Sequence, residues 1–413
     1  MNRKQLTLLI VLGIVLGGLG FLAYQKQKQP YQDSTAKMGG KLLPDFPLND
    51  VEQIVIKQPK AELTLAKKDE VWVVKDRADY PANFANISEL LRKLWELKIT
   101  SSRPVGPSRL PMLELVPPDK GNGTQLDFKD KSGKLIKSVL LGAKSMREGG
   151  GGNDMFGGGG SFPNGRYVMV GNDIGTVALV TETFNNAEAN AQDWLNKDWF
   201  KVEKHKSISV VTTNATNNWK LSRETESGEW KLADAKAGES YDTGKGGAVT
   251  SALGYPQFND LPTNSAPAET GLDKPAVIAT IETFDGHTYT AKIGNKTGED
   301  NYFFQIAATG NFPKERTPGK DEKPEDKERL DKDFQTALKT KEDKVKADQA
   351  YAKWTYVVSK WTVDPLLKVR SDLLAEKKEE PKKEESKADA PKPAVTISDP
   401  LAPPTLTPPA EKK

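Results

Sequence analysis

Short apolar stretches rich in β-branched and aromatic residues recur between residues 45 and 360 and read as strands. "VEQIVI" (51–56), "AELTLA" (61–66) and "EVWVVK" (70–75) open the series, each bounded by turn formers. "ANFANISELLRKLWELK" then changes period. Ile87, Leu90, Leu91, Leu94 and Trp95 fall at helical spacing, which predicts an amphipathic helix with one apolar stripe. Strands resume at "TQLDFKD" (124–130), "LIKSVLLG" (135–142), "RYVMVG" (166–171) and "TVALVT" (176–181). A helical reading follows for "NAEANAQDWL" (186–195).

The same order then returns. "SISVVTT" (207–213), "NWKLSRE" (218–224) and "GEWKLAD" (228–234) answer the first three strands. "AVIATIETFDGHTYTAKIGNK" (276–296) answers residues 124–144, and Gly294 follows Gly142 by 152 positions. "YFFQIA" (302–307), "WTYVVS" (354–359) and "DPLLKVRSDLL" (364–374) complete the set. A tandem duplication of a unit of about 150 residues is the expected architecture. The expected fold class is α+β: one N-terminal transmembrane helix, two mostly antiparallel α+β units at 45–200 and 201–375, and a disordered Lys/Glu/Pro-rich tail at 376–413. The copies differ in their insertions, a glycine-rich loop (145–165) in the first and a charged helical segment (308–352) in the second.

Residues 6–24, "LTLLIVLGIVLGGLGFLAY", carry no charge. As a helix they would span roughly 28 Å, close to a bilayer's hydrocarbon thickness. The expectation is an uncleaved single-pass anchor of the bacterial inner membrane. It would have a cytoplasmic arm at 1–5, a linker at 25–44 and the bulk of the chain extracytoplasmic or periplasmic. Gly13 and Gly17 form a G-x-x-x-G step that allows weak self-association between such helices.

Composition narrows the chemistry. With 60 basic and 57 acidic residues the net charge is +3, so no basic surplus points to nucleic acid. Cysteine is absent, which removes thiolate ligands and nucleophiles. The glycine-rich run after Glu148 precedes a strand instead of opening a helix, so it lacks the setting of a phosphate loop; Phe156 and Phe162 in it are candidate contacts. "GESYDTGKGG" (238–247) misses the Walker spacing and has Gly246 where a magnesium-binding hydroxyl belongs. His205 and His287 are the two histidines and have no ligand spacing between them. Glu282 and Asp285 are an acidic pair on a strand, where solvent-facing carboxylates are ordinary. Trp72, Trp95, Trp219, Trp230 and Trp361 invite a sugar-stacking idea, with core packing as the commoner role. No catalytic, cofactor-binding or metal-binding residue is assigned, and no cofactor is expected.

The strand pair ending in "VWVV", the helix "ISELLRKLWELKI", "VLLGAK" before "RYVMV", and the ends "AQDWLNKDWF" and "LLKVRSDLL" together resemble a known family. It is the bacterial membrane-anchored family catalogued as domain of unknown function 4340, over roughly residues 1–375. That resemblance implies an accessory role beside ABC-transporter genes of the gliding-motility auxiliary type and carries over no site residues. The expected function is a non-catalytic, membrane-tethered accessory or scaffold protein of the cell envelope, partnered by transporter components or other envelope proteins. The alternatives are a polysaccharide- or peptidoglycan-binding module and a hydrolase with dispersed carboxylates.

Overall fold

The computed structural model describes residues 37–102, 104–148, 161–263, 267–319 and 322–376. Two antiparallel sheets dominate. The first contains β1 (Gln53–Gln58), β2 (Ala61–Lys68), β3 (Val71–Val74), β4 (Tyr80–Pro81), β5 (Ile99–Ser101), β6 (Thr124–Lys129), β7 (Leu135–Glu148), β8 (Ser161–Val170) and β9 (Ala178–Val180). Its strand order is β4-β3-β2-β1-β6-β7-β8-β9-β5. The second contains β10 (His205–Thr212), β11 (Trp219–Ser222), β12 (Lys231–Leu232), β13 (Val277–Thr283), β14 (His287–Thr297), β15 (Asn301–Gly310) and β16 (Tyr356–Ser359). Its order is β12-β11-β10-β13-β14-β15-β16. From β3 to β9 the first sheet runs through its strands in the same pattern as the whole of the second.

Three helices exceed one turn among the described residues: α1 (Phe84–Glu96), α2 (Pro324–Gln349) and α3 (Lys360–Leu367). Helix α1 starts where the Asn83 side chain accepts the Asn86 N–H at 3.3 Å, and it buries Ile87, Leu90, Leu91 and Leu94. The expected α+β class is corrected by this arrangement: the chain is mostly antiparallel sheet with few helices. The helix read at 186–195 shrinks to a 3-10 turn at Ala191–Trp194. One tertiary bond and one turn-closing bond within the segment hold it instead. The Ala189 N–H donates to Gln58 Oε1 at 3.0 Å, and Trp194 Nε1 donates to the Glu188 carbonyl at 2.9 Å. No helix among the described residues is long and apolar enough to cross a membrane. The run 6–24 with Gly13 and Gly17, Phe156, and the tail after Glu376 lie outside the described residues.

The larger of two hydrophobic clusters among the described residues runs across both sheets, and a smaller one gathers Leu115, Leu140, Met169 and Val177. Tyr80 on β4 meets Phe258, Trp354 and Tyr356 of the second half edge-on, with centroids 5.5, 4.9 and 6.1 Å away. Trp199, on the connection between the sheets, packs against Phe258, Phe304 and Tyr356. Edge-to-face aromatic pairs contribute about 0.5–1.5 kcal/mol each beyond area burial, so this junction fixes the sheets to each other.

Gly142 in β7 and Gly294 in β14 mark matching irregularities. The pairing register shifts just after Leu141 and just after Ile293. A crossing segment lies against each glycine: an added Cβ would meet the Leu113 carbonyl oxygen at 2.2 Å and the Thr270 carbonyl oxygen at 2.1 Å, respectively. Glycine is therefore required by close backbone approach at both places.

Candidate functional site

The residues flagged by the sequence are mostly committed to structure. His205 Nε2 lies 2.8 Å from the Ala252 carbonyl, and burial pushes the imidazole down from its ordinary range. His287 Nε2 lies 3.3 Å from the Lys341 carbonyl beneath helix α2, and burial lowers it too. Glu282 accepts the Ser207 hydroxyl at 2.8 Å, while Asp285 pairs with Lys204 and Lys341. Among the described residues, no group of three or more His, Asp or Glu side chains is placed to hold a metal ion. In the 238–247 stretch, Asp242 Oδ1 itself accepts the Gly244 and Lys245 N–H groups at 2.8 and 3.2 Å. A built-in carboxylate thus sits where a phosphate would have to bind.

The tryptophans divide sharply. Trp72 and Trp219 are buried, and Trp219 Nε1 donates to the Lys368 carbonyl at 2.7 Å. Trp230 lies under the Arg223 guanidinium and Trp95 under the Lys41 ammonium, 4.9 and 3.6 Å from charge to ring centroid. Trp361 differs from all of these: it is 89% exposed.

Local structure explains its exposure. In α3 the core-facing residues are Val363 and Leu366, both fully buried. Trp361 stands two positions before Val363, about 200° around the helix, and so faces outward. Opposite it runs the segment 252–259. Leu253 takes a left-handed backbone (φ 58°), which lets its buried side chain anchor the turn while the next residues rise to the surface. Tyr255 emerges there, 84% exposed.

Tyr255 and Trp361 both line a cleft of about 470 Å³, together with Gln257, Asn259, Ser359, Thr362 and Asp364. Its walls are tied together. Thr362 Oγ1 donates to the Gln257 carbonyl at 3.1 Å. The Asn259 N–H donates to the Val357 carbonyl, and the Val357 N–H to the Asp260 carbonyl, each at 2.8 Å. Asp364 is the one charged residue among those lining it, and Lys201 Nζ lies 5.5 Å from the Tyr255 ring centroid. A smaller cavity of about 110 Å³ lies between α1 and the residues after β9, lined by Asn86, Glu89, Lys93 and Phe184.

A larger cavity of about 660 Å³ sits between the β2–β3 hairpin and α1, lined by Val51, Val71, Trp72, Phe84 and Leu91. Its charged neighbours are paired locally: Lys67 with Glu52 and Glu70, Arg92 with Glu96. It offers apolar wall with few directed polar groups. The Tyr255–Trp361 cleft combines both.

Sequence reasoning named Trp361 only within a group of tryptophans and did not name Tyr255. The one signal for Tyr255 was an aromatic in a Gly-Tyr-Pro turn, where core packing is unusual.

Residues 72–275 match the family model described as a domain of unknown function (DUF4340). No curated protein and no solved structure matches the chain. The matched span runs from β3 to the residues just before β13 and includes the Tyr255 wall of the cleft but not the Trp361 wall. On that match, the chain belongs to the DUF4340 family.

Proposed function

We propose that the protein is a non-catalytic accessory or scaffold protein of the bacterial cell envelope, working beside an ABC-type transport system. The observation that carries this reading is the Tyr255–Trp361 pair: two large aromatic faces, 84% and 89% exposed, held on a hydrogen-bonded framework. Exposed aromatics on a fixed support are the usual anchors of recognition surfaces. The non-catalytic part draws on how the titratable groups are used. Both histidines contact backbone carbonyls, Asp260 is held by Arg77, and Arg370 is held by Asp234 and Glu239. Envelope placement and the transporter partner draw on the uncharged run 6–24 and on the family resemblance.

Co-purification from solubilised bacterial membranes tests the proposal. A permease or ATPase subunit retained by the chain supports it, and retention of neither sinks it. A second reading, an envelope polysaccharide- or peptidoglycan-binding module, is favoured by the same aromatic pair.

A further inference from the structure

We infer that the Tyr255–Trp361 cleft is a saccharide-binding site that takes neutral pyranose rings of an envelope glycan. The inference deepens the second reading above and rests on the cleft being the protein's contact surface.

A pyranose ring has a C–H face that packs on an aromatic ring and a rim of hydroxyls that needs donors and acceptors. The cleft supplies both. Tyr255 and Trp361 are its aromatic walls, and Gln257, Asn259, Ser359, Thr362 and Asp364 supply amide, hydroxyl and carboxylate groups. Its volume of about 470 Å³ lies within the range of small-molecule sites, about 300–1,000 Å³.

Charge selects among ligands. An anionic ligand meets the Asp364 carboxylate, the one charged residue among those lining the cleft. A cationic ligand meets Lys201, whose ammonium already lies above the Tyr255 ring. The two opposite charges leave a neutral, hydroxyl-rich ligand as the best fit.

The walls are also preformed. The Thr362–Gln257 and Asn259–Val357 bonds join α3, the 252–259 segment and β16, so binding does not have to order a loop. The Asn259 side-chain amide donates to Asn301 Oδ1 at 2.8 Å, which orients its own oxygen.

Titration calorimetry of the detergent-solubilised full chain with N-acetylglucosamine oligomers and maltodextrins tests the inference. A peptide of residues 400–410 serves as a proline-rich competitor for the same rings. Saturable binding of a neutral glycan is expected, weakened about tenfold by Trp361→Ala or by Tyr255→Ala and largely kept by Trp361→Phe. Both rings are surface groups, so the variants are expected to fold. Failure of every glycan to bind, binding unchanged in both alanine variants, or binding of the peptide in place of glycans would overturn it. If glycans fail while a permease or ATPase still co-purifies, the accessory reading survives and only the saccharide site is lost.

Discussion

Arg77 and Asp260, far apart in the chain, form a two-point ion pair between the two halves of the molecule. Arg77 Nε donates to Asp260 Oδ1 at 2.7 Å and Nη2 to Oδ2 at 3.0 Å. Both side chains are 17% exposed. Burial by itself raises the Asp260 carboxyl, but Arg77, the Gln192 amide and the Leu261 N–H outweigh it and hold the group below the usual carboxylate range.

Removing either partner strands the other in a half-buried place. Arg77→Ala is expected to cost about 2 kcal/mol, read from the urea midpoint of unfolding. The sign with pH follows from the lowered carboxyl. The unfolded chain takes up the proton first as pH falls, so the pair's contribution is complete above the unfolded value of about 3.9 and is lost below it. Asp260→Asn should flatten that acid-side loss; an unchanged acid limb would show that the pair contributes nothing.

Gly142→Ala and Gly294→Ala are expected to destabilise alike, by about 1–3 kcal/mol each, because the new methyl group has to displace a carbonyl oxygen of the crossing segment. Gly319, which has nothing within 4 Å of an added Cβ and no positive φ, is the control. Thermal unfolding of the three variants checks this. Equal, small effects at all three positions would remove the close-approach explanation.

His287 couples helix α2 to pH. Its imidazole lies between the Phe312 ring, 5.2 Å away, and the Lys341 carbonyl, with Asp285, Lys344 and Asp348 around it. Burial, helped by Lys344, lowers its pKa against the opposing pull of the Lys341 carbonyl and the two carboxylates. The unfolded chain therefore binds the proton first, and stability falls as pH drops below about 6.5. His205 is lowered as well and adds to the same limb. His287→Gln should shrink the slope without abolishing it, and amide protection of residues 337–349 should stop weakening towards pH 5. An unchanged slope would assign the effect to His205.

The tryptophans give a contrast in stability. Trp194→Ala and Trp219→Ala remove fully buried rings and should each cost about 3–5 kcal/mol. Trp361→Ala should change stability by no more than about 0.5 kcal/mol, since its ring packs on little. Chemical denaturation of the three variants separates them, and a large loss at Trp361 would place that ring in the core after all.

These contrasts show how far the sequence could be read. Strand 277–283 was legible because one face is buried and alternation follows directly, and strand 53–58, buried on both faces at Ile54, Val55 and Ile56, was legible from its β-branched run. Helix α1 was legible because its stripe covers one side. The helix read at 186–195 failed because the bond to Gln58 overrides local propensity, and such a distant partner is invisible in a linear pattern. The cleft was illegible for a related reason. Tyr255 lies in a turn with no period, and the outward direction of Trp361 depends on where a short helix begins. Family membership was readable from packing patterns, and those carry no chemistry.

Affinity purification of the full chain from solubilised bacterial membranes, comparing wild type with a Tyr255→Ala/Trp361→Ala double variant, tests the accessory role directly. An accessory protein working through this cleft should retain a permease or ATPase subunit as wild type and lose most of it in the double variant, with both proteins equally folded. Retention of no transporter component by the wild-type chain would contradict the account, and equal retention by the double variant would move the contact surface away from the cleft.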